Sequence, residues 1–108
     1  MIGRPVTTTV IVAPRARGDL FSIVRHLAKV AGPEIAGRWD DKFWEGIDRL
    51  RDFPGVGTRR PRLGRDVWMI VVAPYLIFYR HSACEPLVII LRVLHGRRRI
   101  SRKLVQEA

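Results

Sequence analysis

The 108-residue chain has a single cysteine and no long apolar run, and each absence excludes a class of protein. With Cys84 alone, no intramolecular disulfide can form, which fits a reducing compartment. A membrane-spanning helix needs about 20 consecutive apolar residues, and no stretch approaches that length. The N-terminus also lacks the apolar core of a secretory signal. The expected location is therefore the cytoplasm, with no membrane-spanning segment.

Histidine is also scarce, with three residues spread along the chain. Three scattered histidines and one cysteine do not supply the clustered ligands that a metal site needs. The glycine-rich segment GVGTRRPRLG at 55–64 lacks the spacing of a phosphate-binding P-loop. The sequence therefore predicts no metal and no cofactor.

Acidic residues are few beside basic ones, with 10 against 20, and 17 of the basic residues are arginine. Residues 1–58 carry nine basic and seven acidic side chains, a net charge of +2. Residues 59–108 carry eleven basic and three acidic side chains, a net charge of +8. Because the arginine guanidinium binds carboxylate or phosphate through paired hydrogen bonds, this asymmetry indicates an anionic partner. Nucleic acid, an acidic protein and an anionic membrane surface all fit.

The first half predicts a strand followed by a helical hairpin. The β-branched run from Val6 to Val12 is typical of a strand, and Pro14 ends it. Apolar residues at helical spacing predict helices over Arg15–Ala31 and Pro33–Asp52, separated by Gly32. The expected apolar faces are Leu20, Ile23, Val24, Leu27 and Ala31 on the first helix and Ala36, Trp39, Phe43, Ile47 and Leu50 on the second.

The second half predicts a cationic loop, three strands and a short terminal helix. The loop covers Gly55–Gly64, and the helix covers Arg97–Glu107. The predicted strands are Asp66–Val72, Tyr75–His81 and Leu87–Leu94. Short turns between these strands favour an antiparallel meander, and the helical hairpin must cover one side of it. The sequence thus predicts one α+β domain over residues 1–108, with two layers and the order β–α–α–β–β–β.

Several motifs in this order resemble a known family. They are VIVAP at 10–14 followed by Asp19-Leu20, FPGVG at 53–57 after Leu50, YLIFYR at 75–80 and IILRVLHGRR at 89–98. Over residues 6–100 the chain resembles the ParE toxins of the ParE/RelE superfamily, the toxin half of bacterial type II toxin–antitoxin modules. The superfamily fold, a helical hairpin on a mostly antiparallel sheet, agrees with the order predicted from periodicity.

The resemblance implies a cytotoxic protein that arrests growth and is held inactive by a cognate, ParD-like antitoxin. ParE-like toxins poison DNA gyrase and serve in plasmid stabilization, whereas RelE-like relatives cut mRNA on the ribosome. The antitoxin carries a dimeric DNA-binding domain and a flexible tail that wraps the toxin. Operator DNA is therefore expected to be reached only through the antitoxin.

Two arginine-rich segments are the candidate partner-binding surface. A solvated surface is the simplest interpretation of both segments. The functional interpretation is contact with an acidic antitoxin tail, gyrase, DNA or RNA. The candidate partner-binding residues are Arg59, Arg60, Arg62, Arg97, Arg98, Arg99 and Arg102, with Lys103 beside the last of them.

The enzymatic alternative is a ribosome-dependent mRNA endonuclease. Its phosphate clamp and proton carrier would be Arg65, Arg80, Arg92 and His95, with Tyr79 and His81 as further candidates. For Arg80 and Arg92, a structural salt bridge to Asp66, Glu85 or an acid of the hairpin is the competing interpretation.

RelE-like enzymes commonly place a tyrosine or histidine in the C-terminal segment as acid or base. The segment after Gly96, RRRISRKLVQEA, contains neither. This departure favours the ParE branch, which needs no nuclease chemistry. A third possibility is an inactive homologue that acts only in operon co-repression.

Overall fold

A computed structural model describes residues 8–106. The elements, in chain order, are β1 Thr9–Val12, α1 Pro14–Ala31, α2 Pro33–Asp52, β2 Thr58–Arg59, a 3-10 turn Pro61–Leu63, β3 Val67–Val72, β4 Tyr75–His81, β5 Leu87–His95 and α3 Arg102–Gln106. The start of the predicted first strand at Val6–Thr7 and the predicted helix end at Glu107 lie outside the described residues.

The strands form one five-stranded sheet in the order β1-β5-β4-β3-β2. β1 pairs parallel with β5, and the other neighbours pair antiparallel. Since parallel neighbours need a long crossover, the helical hairpin α1–α2 and the following strands provide the route back to β5. The predicted α+β fold, with a helical hairpin on a mostly antiparallel sheet, is confirmed.

The prediction of an uninterrupted loop over Gly55–Gly64 is wrong. Thr58 and Arg59 pair with Met69 and Trp68 as the edge strand β2, and the 3-10 turn follows. Two paired residues are too few to produce an alternating pattern in the sequence.

The terminal helix starts later than predicted, at Arg102 instead of Arg97. The Ser101 hydroxyl accepts the Leu104 backbone N–H at 3.2 Å and thereby caps the first turn. Upstream, Arg98 N–H donates to the His95 carbonyl and closes a turn at the end of β5.

The hairpin covers one face of the sheet and builds the larger core. Its buried members include Leu20 from α1, Phe43, Ile47 and Leu50 from α2, and Ile77, Tyr79, Ile90 and Val93 from the sheet. Ala31, predicted on the apolar face of α1, is exposed. Val30 and Ile35 beside it are also exposed, so the tip of the hairpin extends past the sheet.

A second, smaller core lies on the opposite face of the sheet. It consists of Leu63 from the 3-10 turn, Val67, Phe78 and Leu94 from the strands, and Val105 from α3. A β-bulge reverses the alternation of side chains along β5, because Phe78 pairs with Arg92 while Tyr79 pairs with Ile90. Ile90 before the bulge and Val93 after it therefore both face the larger core. The additional residue, Leu91, faces the second core.

The Tyr79 hydroxyl fixes the chain as it leaves α2. It donates to the Pro54 carbonyl at 2.7 Å and accepts the Gly57 N–H at 3.1 Å. Burial raises the pKa of Tyr79 more than the Gly57 hydrogen bond lowers it. A Cβ at Gly57 would lie 2.5 Å from this oxygen and 2.7 Å from the Met69 carbonyl, so only glycine fits.

Replacing Tyr79 with phenylalanine should lower the free energy of unfolding by about 1–3 kcal/mol, because Pro54 and Gly57 lose their partner. Urea unfolding of the purified protein measures the change. Tyr75→Phe is the matched control, since no described residue hydrogen-bonds to the Tyr75 hydroxyl. Equal stability of the two variants would contradict the assignment.

Candidate functional site

Arg92 is a buried cation in β5 with 4% of its surface exposed. Its Nε and Nη2 donate to the Asp19 carboxylate at 2.7 and 3.0 Å, and its Nη1 donates to the Leu104 carbonyl at 3.0 Å. The guanidinium is therefore engaged by protein groups from α1 and α3. This is the structural ion pair with an acid of the hairpin, and the arginine does not face an open phosphate site.

Asp19 also completes the hydrogen bonding of the sheet. β1 ends at Val12, opposite Ile90, so the continuation of β5 lacks a strand on that side. There the Val93 N–H donates to Asp19 Oδ2 at 2.9 Å. One carboxylate thus replaces a missing strand partner and neutralises a buried arginine.

The other nuclease candidates lie apart. Arg80 Nη2 donates to Gln106 Oε1, on the side of α3. His95 packs edge-on against Tyr75 at 5.4 Å between ring centroids, and its Nδ1 accepts the Arg97 N–H at 3.0 Å. In the register His95 opposes Tyr75, whereas Arg80 lies five residues further along β4, or about 17 Å. Those two candidates do not form one catalytic site.

The remaining candidates do not complete it. Arg65 is exposed in the turn before β3. The Tyr79 hydroxyl is occupied by Pro54 and Gly57, and His81 Nδ1 lies 3.3 Å from the Leu87 carbonyl. The side chains of Tyr79 and His81 therefore contact backbone groups of the fold and do not line an open cleft.

An apolar groove runs along the outer side of the hairpin. It encloses about 360 Å³ and is lined by Arg17, Leu20, Phe21, Val24, Arg25, Ala28, Asp40 and Trp44. Phe21 is 67% exposed, although a phenylalanine gains free energy from burial. In the sequence, the sign of this groove is Phe21, a large apolar residue that lies outside the predicted apolar face of α1.

One sheet edge adjoins the start of the hairpin. β1 has β5 on one side, and no described strand lies on the other. Ile11 in this strand is 49% exposed. A strand edge with exposed apolar side chains can accept a further strand from a partner.

The opposite side of the sheet carries a basic surface, which we call the cationic face: Arg62, Arg98, Arg99, Arg102 and Lys103. All five are exposed. Arg62 belongs to the 3-10 turn, which packs against α3 through the second core. Gln106 Nε2 joins the two elements by donating to the Leu63 carbonyl at 2.9 Å. The fold thus brings together two segments that are about 40 residues apart in the sequence.

The predicted partner-binding residues are therefore divided. Arg59 lies over the ring of Trp68, 5.3 Å from its centroid, next to the larger core. Arg60 and Arg97 are exposed at the ends of β2 and β5. Within residues 8–106, no carboxylate forms an ion pair with any member of the cationic face.

Metal and membrane features are not found in the part of the chain that the structure describes. Residues 8–106 contain no group of three histidine, cysteine or acidic side chains that could hold a metal ion. No helix among them is long and apolar enough to cross a membrane.

The architecture is that of toxins from type II toxin–antitoxin systems. The chain is similar to one in the "Chromosomal ParDE TA system from P. aeruginosa", with a TM-score of 0.69, 22% identity and coverage of 82% of this chain and 96% of that one. It is also similar to a chain of the toxin–antitoxin complex RelBE2 from Mycobacterium tuberculosis, with a TM-score of 0.59, 25% identity and coverage of 85% and 94%.

The family follows from the sequence match. Residues 10–100 match the family described as "ParE toxin of type II toxin-antitoxin system, parDE". The chain belongs to the ParE toxin family and is a toxin of a type II toxin–antitoxin system. No curated protein matches the sequence significantly. The resemblance proposed from the motifs is confirmed.

Replacing Asp19 with alanine should lower the free energy of unfolding by about 3–5 kcal/mol, because Arg92 would remain buried without its counter-ion. Asp48→Ala is the control, since its ion pair with Arg51 is exposed and should contribute at most about 1 kcal/mol. Urea unfolding of both variants provides the comparison. If both variants lost the same free energy of unfolding, the buried ion pair would contribute no more to stability than the exposed one.

Proposed function

We propose that this ParE-family toxin is neutralised by a ParD-like antitoxin and inhibits DNA gyrase when it is free. The first part rests on the hairpin groove and the β1 edge, which offer apolar surface beside an open strand. The second part rests on the separation of Arg80 and His95, which do not converge on one nuclease site in the part of the chain that the structure describes.

The groove suits an amphipathic helix in the antitoxin tail. Its floor is apolar, and Phe21 stands exposed at the surface. Arg17 and Arg25 line the same groove and would meet acidic side chains on the polar side of such a helix. A segment that follows the helix can then add a strand to β1. Similarity to a chain of a ParDE system supports this partner.

The proposed action on gyrase is by contact, without covalent chemistry. Arg92, a candidate for phosphate binding, forms its ion pair with Asp19, and Arg80 donates a hydrogen bond to Gln106. Arg59, Arg60 and Arg97 are exposed and lie outside the cationic face, and they are proposed to meet an anionic surface of gyrase. Contact with a large target requires no proton carrier, so the missing tyrosine or histidine after Gly96 is no obstacle.

Purified toxin should inhibit DNA supercoiling by gyrase and increase the cleaved-DNA complex. The measurement is a supercoiling and cleavage assay over the toxin concentrations that arrest growth. Unaltered gyrase at those concentrations would contradict the proposed target. Primer extension on translated mRNA is the parallel test, and codon-specific breaks would favour the endonuclease instead. Absence of growth arrest without antitoxin would favour an inactive homologue.

Replacing Phe21 with alanine should weaken antitoxin binding by at least about 30-fold, since loss of a central aromatic contact costs about 2 kcal/mol or more. Calorimetry with the cognate antitoxin measures this. Phe53→Ala is the matched control, because Phe53 is 62% exposed but does not line the groove. Equal weakening by both variants, or by neither, would remove the groove from the proposed interface.

A further inference from the structure

The two sides of the molecule differ in their charge. Helices α1 and α2, over Pro14–Asp52, contain eight basic and seven acidic residues, a net charge of +1. Residues 97–108 contain five basic residues and one acidic residue, a net charge of +4. The nearly neutral hairpin and the cationic face therefore suit partners of different chemistry.

The cationic face has a defined support. Arg80 donates to Gln106 Oε1 while Gln106 Nε2 donates to the Leu63 carbonyl. Val105 is buried beside Leu63 in the second core, which fixes the orientation of α3. Between the exposed cations lies a shallow depression of about 380 Å³, lined by Arg98, Arg99, Ser101, Lys103 and Leu104. The cations therefore lie on and beside elements that pack against the sheet, α3 and the 3-10 turn.

The segment that carries four of the five cations exposes no large hydrophobic side chain. The exposed large hydrophobic residues are Ile11, Phe21, Val30, Ile35, Phe53, Val56 and Val71. None of them lies in residues 97–106. By strand alternation Ile11 and Val71 share the sheet face with the second core, but they belong to β1 and β3. Protein interfaces usually have an apolar or aromatic centre, whereas nucleic-acid interfaces are polar and strongly positive. This composition favours nucleic acid over a protein partner.

The positions of the aromatic residues favour duplex over single-stranded nucleic acid. Single-stranded nucleic acid is usually held by bases stacked on exposed aromatic rings. On this side of the sheet Phe78 is fully buried, while Trp68 and Tyr79 belong to the hairpin side. Contacts to the backbone of a duplex need only the cations, and they carry no sequence information.

We propose that the cationic face binds the phosphate backbone of duplex DNA without sequence preference. The site lies across the sheet from the hairpin groove, so a protein in the groove leaves it accessible. Sequence recognition at an operator stays with the antitoxin, and the toxin adds phosphate contacts. The proposal does not depend on gyrase as the target.

Fluorescence anisotropy with a labelled duplex of unrelated sequence, about 20 base pairs long, tests the proposal with the full-chain toxin. Each neutralised phosphate contributes about −0.9 to the slope of log affinity against log salt, so five cations predict a slope of about −4.5. Affinity should then fall roughly 100-fold or more between about 50 and 200 mM salt. No binding at the lower salt concentration would overturn the proposal.

Paired variants separate the face from net charge. Arg99→Ala with Lys103→Ala should weaken binding and make the salt slope less steep by about 2. Lys29→Ala with Arg38→Ala removes the same charge from exposed hairpin positions and should leave the slope unchanged. Arg62→Ala should reduce the slope by about 1, because the fold places it on the same surface. Equal effects of both double variants would overturn the assignment.

Competing ligands test the choice of partner. Single-stranded RNA or an RNA duplex of the same length that binds more tightly than the DNA duplex would overturn the assignment to DNA. A polyglutamate peptide that displaces the DNA at equal charge concentration would assign the face to an acidic protein. We expect single-stranded RNA, the RNA duplex and polyglutamate each to displace the labelled DNA less effectively than unlabelled duplex DNA does. We also expect the variants to unfold at the same temperature as the unmodified protein.

Discussion

The fold depends on the ion pair between Asp19 and Arg92. A buried arginine is costly unless its charge and its hydrogen bonds are matched, and here α1 supplies the carboxylate and α3 supplies a carbonyl. The same carboxylate accepts the Val93 N–H where β1 no longer accompanies β5. Asp19 therefore links the hairpin to β5, and Arg92 links β5 to the helix beneath the cationic face.

Much of the fold can be predicted because its main elements are long and periodic. Both hairpin helices and the strands β3 to β5 carry regular apolar patterns, and Pro14 and Pro33 mark the helix starts. β2 escapes prediction because two residues have no period. The start of α3 is set by the Ser101 cap. The residues upstream of Ser101 are equally polar, so the sequence pattern does not mark where the helix begins.

The candidate surfaces are predictable in composition but not in arrangement. Arginine clusters are evident in the sequence, yet it gives no sign that Arg59 stacks on Trp68 whereas Arg62 joins α3. The partner of Arg92 lies 73 residues away, and only the folded sheet shows why an acid is needed there. Phe21 could be noticed from the sequence as a large apolar residue off the core stripe.

The position of β5 between the two cores has a consequence for cooperativity. This strand contributes Val88, Ile90 and Val93 to the larger core and Leu94 to the smaller one. Neither core keeps its wall if this strand leaves the sheet, so the two cannot melt independently. A protein whose hydrophobic clusters share one strand has few partly unfolded forms for a protease to attack, and its lifetime in the cell is then set by global opening.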